Sequence, residues 1–149
     1  MYKQAVDGIR VLLVHPGGPF WSKRDLGAWS IPKGEYTGDE EPEAAARREF
    51  AEELGIELQL ALRPLGEISQ KGGKLVVAFA AEGDLDVTAL RSNMFEIEWP
   101  PRSGRRQSFP EIDRAEWFAL PAAREKIIDG QRPLLDRLEA VCAPSAGVR

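Results

Sequence analysis

The chain has 149 residues, enough for one domain with a genuine core and too few for two ordinary ones. With 43% hydrophobic and 30% charged residues it is neither a disordered nor a fibrous chain. A single cysteine, Cys142, excludes an internal disulfide, and together with the lone His15 it excludes the usual zinc clusters. The net charge of −4 is unevenly spread: Gly34–Ile56 carries eight carboxylates against Arg47 and Arg48, which leaves the remainder slightly basic. That balance excludes a basic nucleic-acid binder. No apolar run approaches the roughly 20 residues of a spanning helix, and "MYKQAVDGIR" lacks a signal-peptide core. A cytoplasmic chain with neither a nucleic-acid nor a membrane partner is the expectation. His15 as the base of a serine–histidine–aspartate triad has nothing nearby to recommend it; a place at a strand end is expected instead.

In chain order, "MYKQAV" and "IRVLLVH" read as paired strands around the Asp-Gly turn signal of "VDGI". "PGGPFWSKRDLG" is a loop by its proline and glycine content, and "AWSIPKG" a brief extended piece. Pro42 suits the first position of a helix, and Gly55 marks its stop, so a helix of about Pro42 to Leu54 is predicted. "ELQLALRPLGEI" and "KLVVAFAAE" read as strands about the turn "SQKGGK", and "MFEIEWP" as another. "PPRSGRRQSFPE" reads as a long polar loop and "AEWFAL" as a short last strand. "PAAREKIIDG" and "RPLLDRLEAVC" are the two final helices. One domain over 1–142 is expected, followed by a mobile tail over 143–149. Strands with helices packed on them imply an α+β sandwich with a mixed sheet.

On the predicted helix, with Ala44 set at zero, Glu52, Glu49 and Glu53 fall at about 80°, 140° and 180° at 100° per residue. Ala45 lies among them, while Phe50 and Leu54 fall on the other side and can anchor the helix. Like charges at these spacings destabilise a helix, the more so towards its C-terminal end. A solvated acidic face would intersperse lysine, and this one does not. Oxygen ligands gathered on one patch suit a hard divalent cation, Mg²⁺ or Mn²⁺, whose charge relieves the repulsion.

The spacing Gly34-x5-Glu40-x7-Arg48-Glu49-Phe50-x-Glu52-Glu53-x-Gly55-Ile56 resembles a complete Nudix box, the signature of the Nudix hydrolases. The resemblance implies the Nudix α/β/α sandwich with its loop-helix motif. It implies that Glu52 and Glu53 ligate metal, that Glu49 is a further ligand or the general base, and that Gly34 offers a backbone carbonyl. Arg48 would orient the carboxylates, with Glu40 and Gly55 supporting the box. The implied chemistry is hydrolysis of a nucleoside diphosphate linked to some group X, by a water activated between cations and carboxylates.

"GAWSIPKGE" and "FPEIDRAEW" resemble segments of the bacterial nucleotide pyrophosphohydrolases and of the diadenosine tetraphosphate hydrolases. They imply Lys33 as a phosphate cation and Glu111 as an auxiliary catalytic carboxylate. The tyrosine usual past the box in the dinucleoside polyphosphate hydrolases is replaced by Gly72 and Gly73. Base stacking is left to Trp29, Phe20, Trp21 or Phe109. Lys74, with Lys71, Lys23, Arg24, Arg102, Arg105 and Arg106, offers further phosphate contacts. A small-molecule nucleotide is therefore expected as substrate, with a dinucleoside polyphosphate first. Nucleoside triphosphates, including oxidised ones, come next, then diphosphoinositol polyphosphates. A nucleotide-sensing module without turnover is the rival reading.

Overall fold

The computed structural model describes residues 1–33, 39–70 and 72–142. Gly34, Lys71 and the expected tail lie outside the described residues. The elements in order are β1 (Tyr2–Ala5), β2 (Gly8–Pro16), α1 (Pro42–Leu54), β3 (Arg63–Gln70) and β4 (Lys74–Ala80). Then come β5 (Met94–Glu98), β6 (Arg106–Pro110), β7 (Ile112–Ala119), α2 (Leu120–Lys126) and α3 (Arg132–Cys142). A 3₁₀ turn, Asp129–Gln131, joins the last two helices.

β1 and β2 form the expected hairpin, but Ala5 stands opposite Gly8, so Val6 and Asp7 make the turn. Gly8 stands just past it, with φ 129°. On its other edge β2 pairs with β7 from Arg10↔Ala119 to His15↔Arg114. β7 is therefore longer than "AEWFAL" suggested, because β2 offers it a complete edge. The ladders are antiparallel and form three sheets, β1–β2–β7, β3–β4 and β5–β6, with single parallel bridges at Tyr2–Glu82 and Trp29–Ile127. The first of these sets the end of β4 against β1, where Tyr2 N–H donates to Ala81 O at 2.9 Å.

Side chains alternate across a strand, and β2 uses both of its faces. Leu12 and Val14 pack with Phe50, Leu54 and Ala115 under α1. Val11 and Leu13 pack on the opposite face with Trp29, Ala123, Ile127 and Leu135 under α2 and α3. An unbroken "VLLV" run is what a strand covered on both faces requires. The result is the α/β/α sandwich.

Two expectations need correction. The strand expected from Glu57 begins only at Arg63. Leu58 is drawn to the α1 core and its carbonyl accepts from Arg47 Nη1 at 2.8 Å, which holds that stretch out of the ladder. "PPRSGRRQSFPE" is not all loop: Arg106–Pro110 is a strand paired with β5, and Arg106 bonds Glu96 across the ladder at 2.8 Å. Its polar sequence reflects an exposed hairpin arm. Among the described residues no helix is long and apolar enough to cross a membrane.

Candidate active site

Helix α1 starts and stops as the sequence requires. Glu41 is extended (φ −67°, ψ 139°) before Pro42, and Gly55 is left-handed (φ 70°). A Cβ on Gly55 would stand 2.5 Å from the Arg91 carbonyl oxygen. That close approach lets the following chain take up the helix's terminal carbonyls. Arg91 N–H donates to Leu54 O at 2.9 Å and Asn93 N–H to Glu52 O at 3.2 Å. Asn93 O accepts from Glu111 N–H at 2.8 Å, and Glu111 O accepts from Gly17 N–H at 2.9 Å. Gly17 is itself a contact point, since a Cβ there would fall 1.9 Å from Pro110 O. Glu111 thus hangs by its backbone from the end of the helix that carries Glu49, Glu52 and Glu53.

The acidic face of α1 is only partly open to water, the Glu52 side chain being 43% exposed. Ala45 is buried among its carboxylates, and the Glu49 side chain is only 15% exposed. Pro42, Ala45, Ala46, Glu49 and Phe50 form one wall of a cavity of about 490 Å³, whose other wall is β4; Lys33, Gln70 and Lys74 lie along its lining, and Glu52 and Glu53 do not.

Arg48 is the hub of the carboxylates. Its Nε and Nη2 donate to the two oxygens of Glu40 at 2.7 and 2.8 Å. Its Nη1 stands 2.9 Å from Glu49 Oε1 and 3.2 Å from Glu52 Oε2. These bonds, that to Glu40 foremost, hold the guanidinium pKa well above its ordinary value. Glu53 turns elsewhere: its Oε2 accepts from the Lys33 backbone N–H at 2.8 Å. Burial pushes the Glu53 carboxyl up to about 7. The Lys33 bond and charge oppose that rise, while the charges of Glu49 and Glu111 add to it.

Among the described residues no three such side chains are already gathered as an ion-holding group. The reason is visible in the bonds: Glu49 and Glu52 are turned to Arg48. The donor set nevertheless fits Mg²⁺ or Mn²⁺. It is all oxygen and half-buried, and burial above all, with the charges of Glu49 and Glu111 adding to it, raises the Glu53 carboxyl.

The structure brings Lys33, Glu49, Glu53 and Glu111 into one neighbourhood, with Glu52 joined to Glu49 through Arg48 and Lys74 in the cavity lining. Gly34, the expected carbonyl donor, lies outside the described residues. Trp29 is corrected. It is 1% exposed, its Nε1 donates to Asp25 at 2.8 Å, and its ring meets His15 and Phe118 edge-on, so no face is free for a base. Phe20 lies against Trp99, and Phe109 against Phe95 in the β5–β6 hairpin; neither they nor Trp21 lines the cavity. Of the basic candidates among the described residues, only Lys33 and Lys74 line it, and Arg106 is paired with Glu96.

His15 does have an aspartate after all. Its fully buried ring places Nδ1 2.8 Å from Asp113 and Nε2 2.7 Å from Arg24 O, so neither nitrogen is free to act as a base. Sequence reasoning missed Gln70 in the cavity wall and Asn93 as the link from α1 to Glu111. Neither carries a local signal, because each matters only through contacts made by the folded chain.

Residues 5–138 match the family model described as NUDIX domain, and the chain belongs to that family. It is 26% identical over 128 residues to an RNA pyrophosphohydrolase of Methylococcus capsulatus, a match covering 81% of this chain and 54% of that protein. The chain therefore spans about half the length of that curated relative. Among solved structures it is similar to a C. elegans Ap4A hydrolase binary complex, with a TM-score of 0.63 and 22% identity over 94% of this chain and 92% of that one. It is also similar to the NUDIX domain of Shewanella oneidensis NrtR complexed with ADP ribose, with a TM-score of 0.62 and 16% identity over 95% and 83%. These two likenesses are of fold.

Proposed function

We propose that the chain is a Mg²⁺- or Mn²⁺-dependent pyrophosphohydrolase acting on a nucleoside diphosphate linked to X, with a dinucleoside polyphosphate as the leading substrate and the cytoplasm as its compartment. The observation that carries this reading is the cavity of about 490 Å³ with Glu49 and Lys33 in its lining, next to Glu53. A nucleoside-sized space thereby opens onto oxygen donors and a cation. In this reading Glu49, Glu52 and Glu53 hold the ions and Arg48 orients Glu49 and Glu52. Lys33 meets phosphate, and Glu49 or Glu111 takes the proton of the attacking water. The chemistry that divalent ions supply when bound among such carboxylates is neutralisation of polyphosphate charge and a lowered pKa for water. The apolar parts of the cavity, Ala46, Phe50, Val76 and Phe79 among them, exclude water from the base.

A second reading, a nucleoside triphosphate pyrophosphohydrolase, draws on the same cavity. The exposed aromatics considered for stacking lie outside it, which favours a substrate with a single base. The arrangement gives less support to diphosphoinositol polyphosphates, because Arg102, Arg105 and Arg106 do not line the cavity. The experiment is a substrate panel with Mg²⁺ or Mn²⁺, products being resolved to locate the cleaved phosphorus. Diadenosine tetraphosphate, nucleoside triphosphates, nucleotide sugars and a phosphoanhydride-ended RNA belong on it, the last because of the Methylococcus relative. Tight nucleotide binding without turnover in either metal would favour a sensing module instead.

A further inference from the structure

The short stretch from Trp29 to Lys33 reaches the cavity as a single strip of backbone. Its N–H groups have assigned partners. Trp29 N–H donates to Lys126 O at 2.9 Å and Ser30 N–H to Val14 O at 3.0 Å. Pro32 has no N–H to give. Lys33 N–H goes to Glu53 Oε2 at 2.8 Å. The remaining one, Ile31 N–H, is held by a side chain a hundred residues away: it donates to Gln131 Oε1 at 2.9 Å. Ile31 is therefore the last point at which the strip is fastened to the body of the protein before it reaches Glu53.

Gln131 is unusual for what it gives up. It is 0% exposed, and its Nε2 has no hydrogen-bond partner among the described residues. The carboxamide cannot turn over, because an NH₂ group facing Ile31 N–H would oppose donor to donor. The side chain is thus fixed with its oxygen towards Ile31, at the cost of a buried unpaired amide. Its own backbone is set by the turn, with Gln131 N–H donating to Ile128 O at 3.0 Å. Ile128 N–H in turn donates to Trp29 O at 2.8 Å, so the turn is fastened to the same strip.

We propose that Gln131 is a positioning residue: its side-chain oxygen fixes Ile31 so that the Lys33 N–H meets Glu53 and sets that carboxylate's orientation towards a divalent ion. This rests on the reading of Glu49, Glu52 and Glu53 as ligands. The test is Mn²⁺ titration of wild-type protein and of Gln131→Met, followed by electron paramagnetic resonance, with amide hydrogen exchange read at Ile31 and Lys33. Gln131→Met keeps the bulk and removes the acceptor. It is expected to weaken Mn²⁺ binding about tenfold, the low end for the loss of a group supporting a metal ligand. Exchange at both amides should quicken. A residue that only filled space would leave Mn²⁺ affinity unchanged, and that result in a folded variant overturns the proposal. Wild-type protein that binds no Mn²⁺ overturns the ligand reading and this inference together. Should the variant fail to fold, through-hydrogen-bond NMR coupling from Ile31 N to the Gln131 side-chain carbonyl in the wild type decides. Its presence, with Mn²⁺ slowing exchange at both amides, supports the proposal; absence of either overturns it.

Discussion

Arg48 and Glu40 meet through two hydrogen bonds of 2.7 and 2.8 Å, a guanidinium-to-carboxylate fork that ties the approach to α1 onto the second turn of the helix. The same guanidinium reaches Glu49 and Glu52. Two forked bonds fix the plane of the arginine, so the contacts to the other carboxylates inherit that direction. Glu40→Gln keeps the shape and loses the charge. It is expected to lower kcat about 10- to 100-fold, as loss of a group supporting metal ligands does, with a smaller change in KM. Steady-state kinetics at saturating Mg²⁺ checks this, and an unaltered kcat would remove Glu40 from the machinery.

Glu53 makes the metal-free protein sensitive to pH in a direction that can be stated. Its ordinary value is 4.5 and its value in the fold about 7. Below 4.5 the side chain is protonated whether the chain is folded or not, and stability does not respond. Between these values the unfolded chain ionises first, so stability falls as pH rises; above about 7 the loss is complete. Glu53→Gln carries no such charge. Thermal melts in chelator should show the variant more stable than wild type at pH 8 and matched at pH 4. Parallel pH profiles for the two proteins would contradict the assigned shift.

Glu111 is exposed, so its removal should leave the fold alone while changing the site. Glu111→Gln is expected to alter the melting free energy by less than about 0.5 kcal/mol. As a general base or its helper it should cost about 10²- to 10⁴-fold in kcat. Wild-type turnover in the variant would return Glu111 to the status of a loop carboxylate.

Trp29 separates packing from binding. Trp29→Ala empties a buried site and should destabilise the protein by about 3–5 kcal/mol. Trp29→Phe loses the bond to Asp25 yet retains a ring in the core. Its KM for the best substrate should equal that of wild type, and a large rise in KM would restore a binding role.

Ala46 lies in the cavity lining on α1. Ala46→Phe places a ring where the proposed nucleoside sits, and KM should rise at least tenfold with little effect on the melting temperature. If KM does not move, the base lies elsewhere.

Much of this architecture could be read before folding. The doubly covered strand was written in "VLLV", and the bounds of α1 in Pro42 and Gly55, because those signals are local and steric. The helices α2 and α3 begin where their prolines put them, but α2 stops at Lys126, short of the expected "PAAREKIIDG", because Ile127 and Ile128 are extended and Ile128 N–H is taken by Trp29 O. What escaped was whatever depends on a distant partner. Arg106–Pro110 looked like loop until β5 lay beside it, and Leu58 looked like strand until Arg47 took its carbonyl. Trp29 resembled a stacking platform because nothing in "GAWSIPKGE" reveals that His15, Asp25 and Phe118 surround it. The charges on α1 were legible; the way Arg48 and Lys33 divide them was not.

The nine residues of β2 send alternate side chains into separate cores, Leu12 and Val14 one way, Val11 and Leu13 the other. Neither layer can melt without stripping a wall from its neighbour, so the sandwich should come apart in a single cooperative transition. An isolated fragment carrying only α1, or only the C-terminal helices, would have no half-protein to inherit.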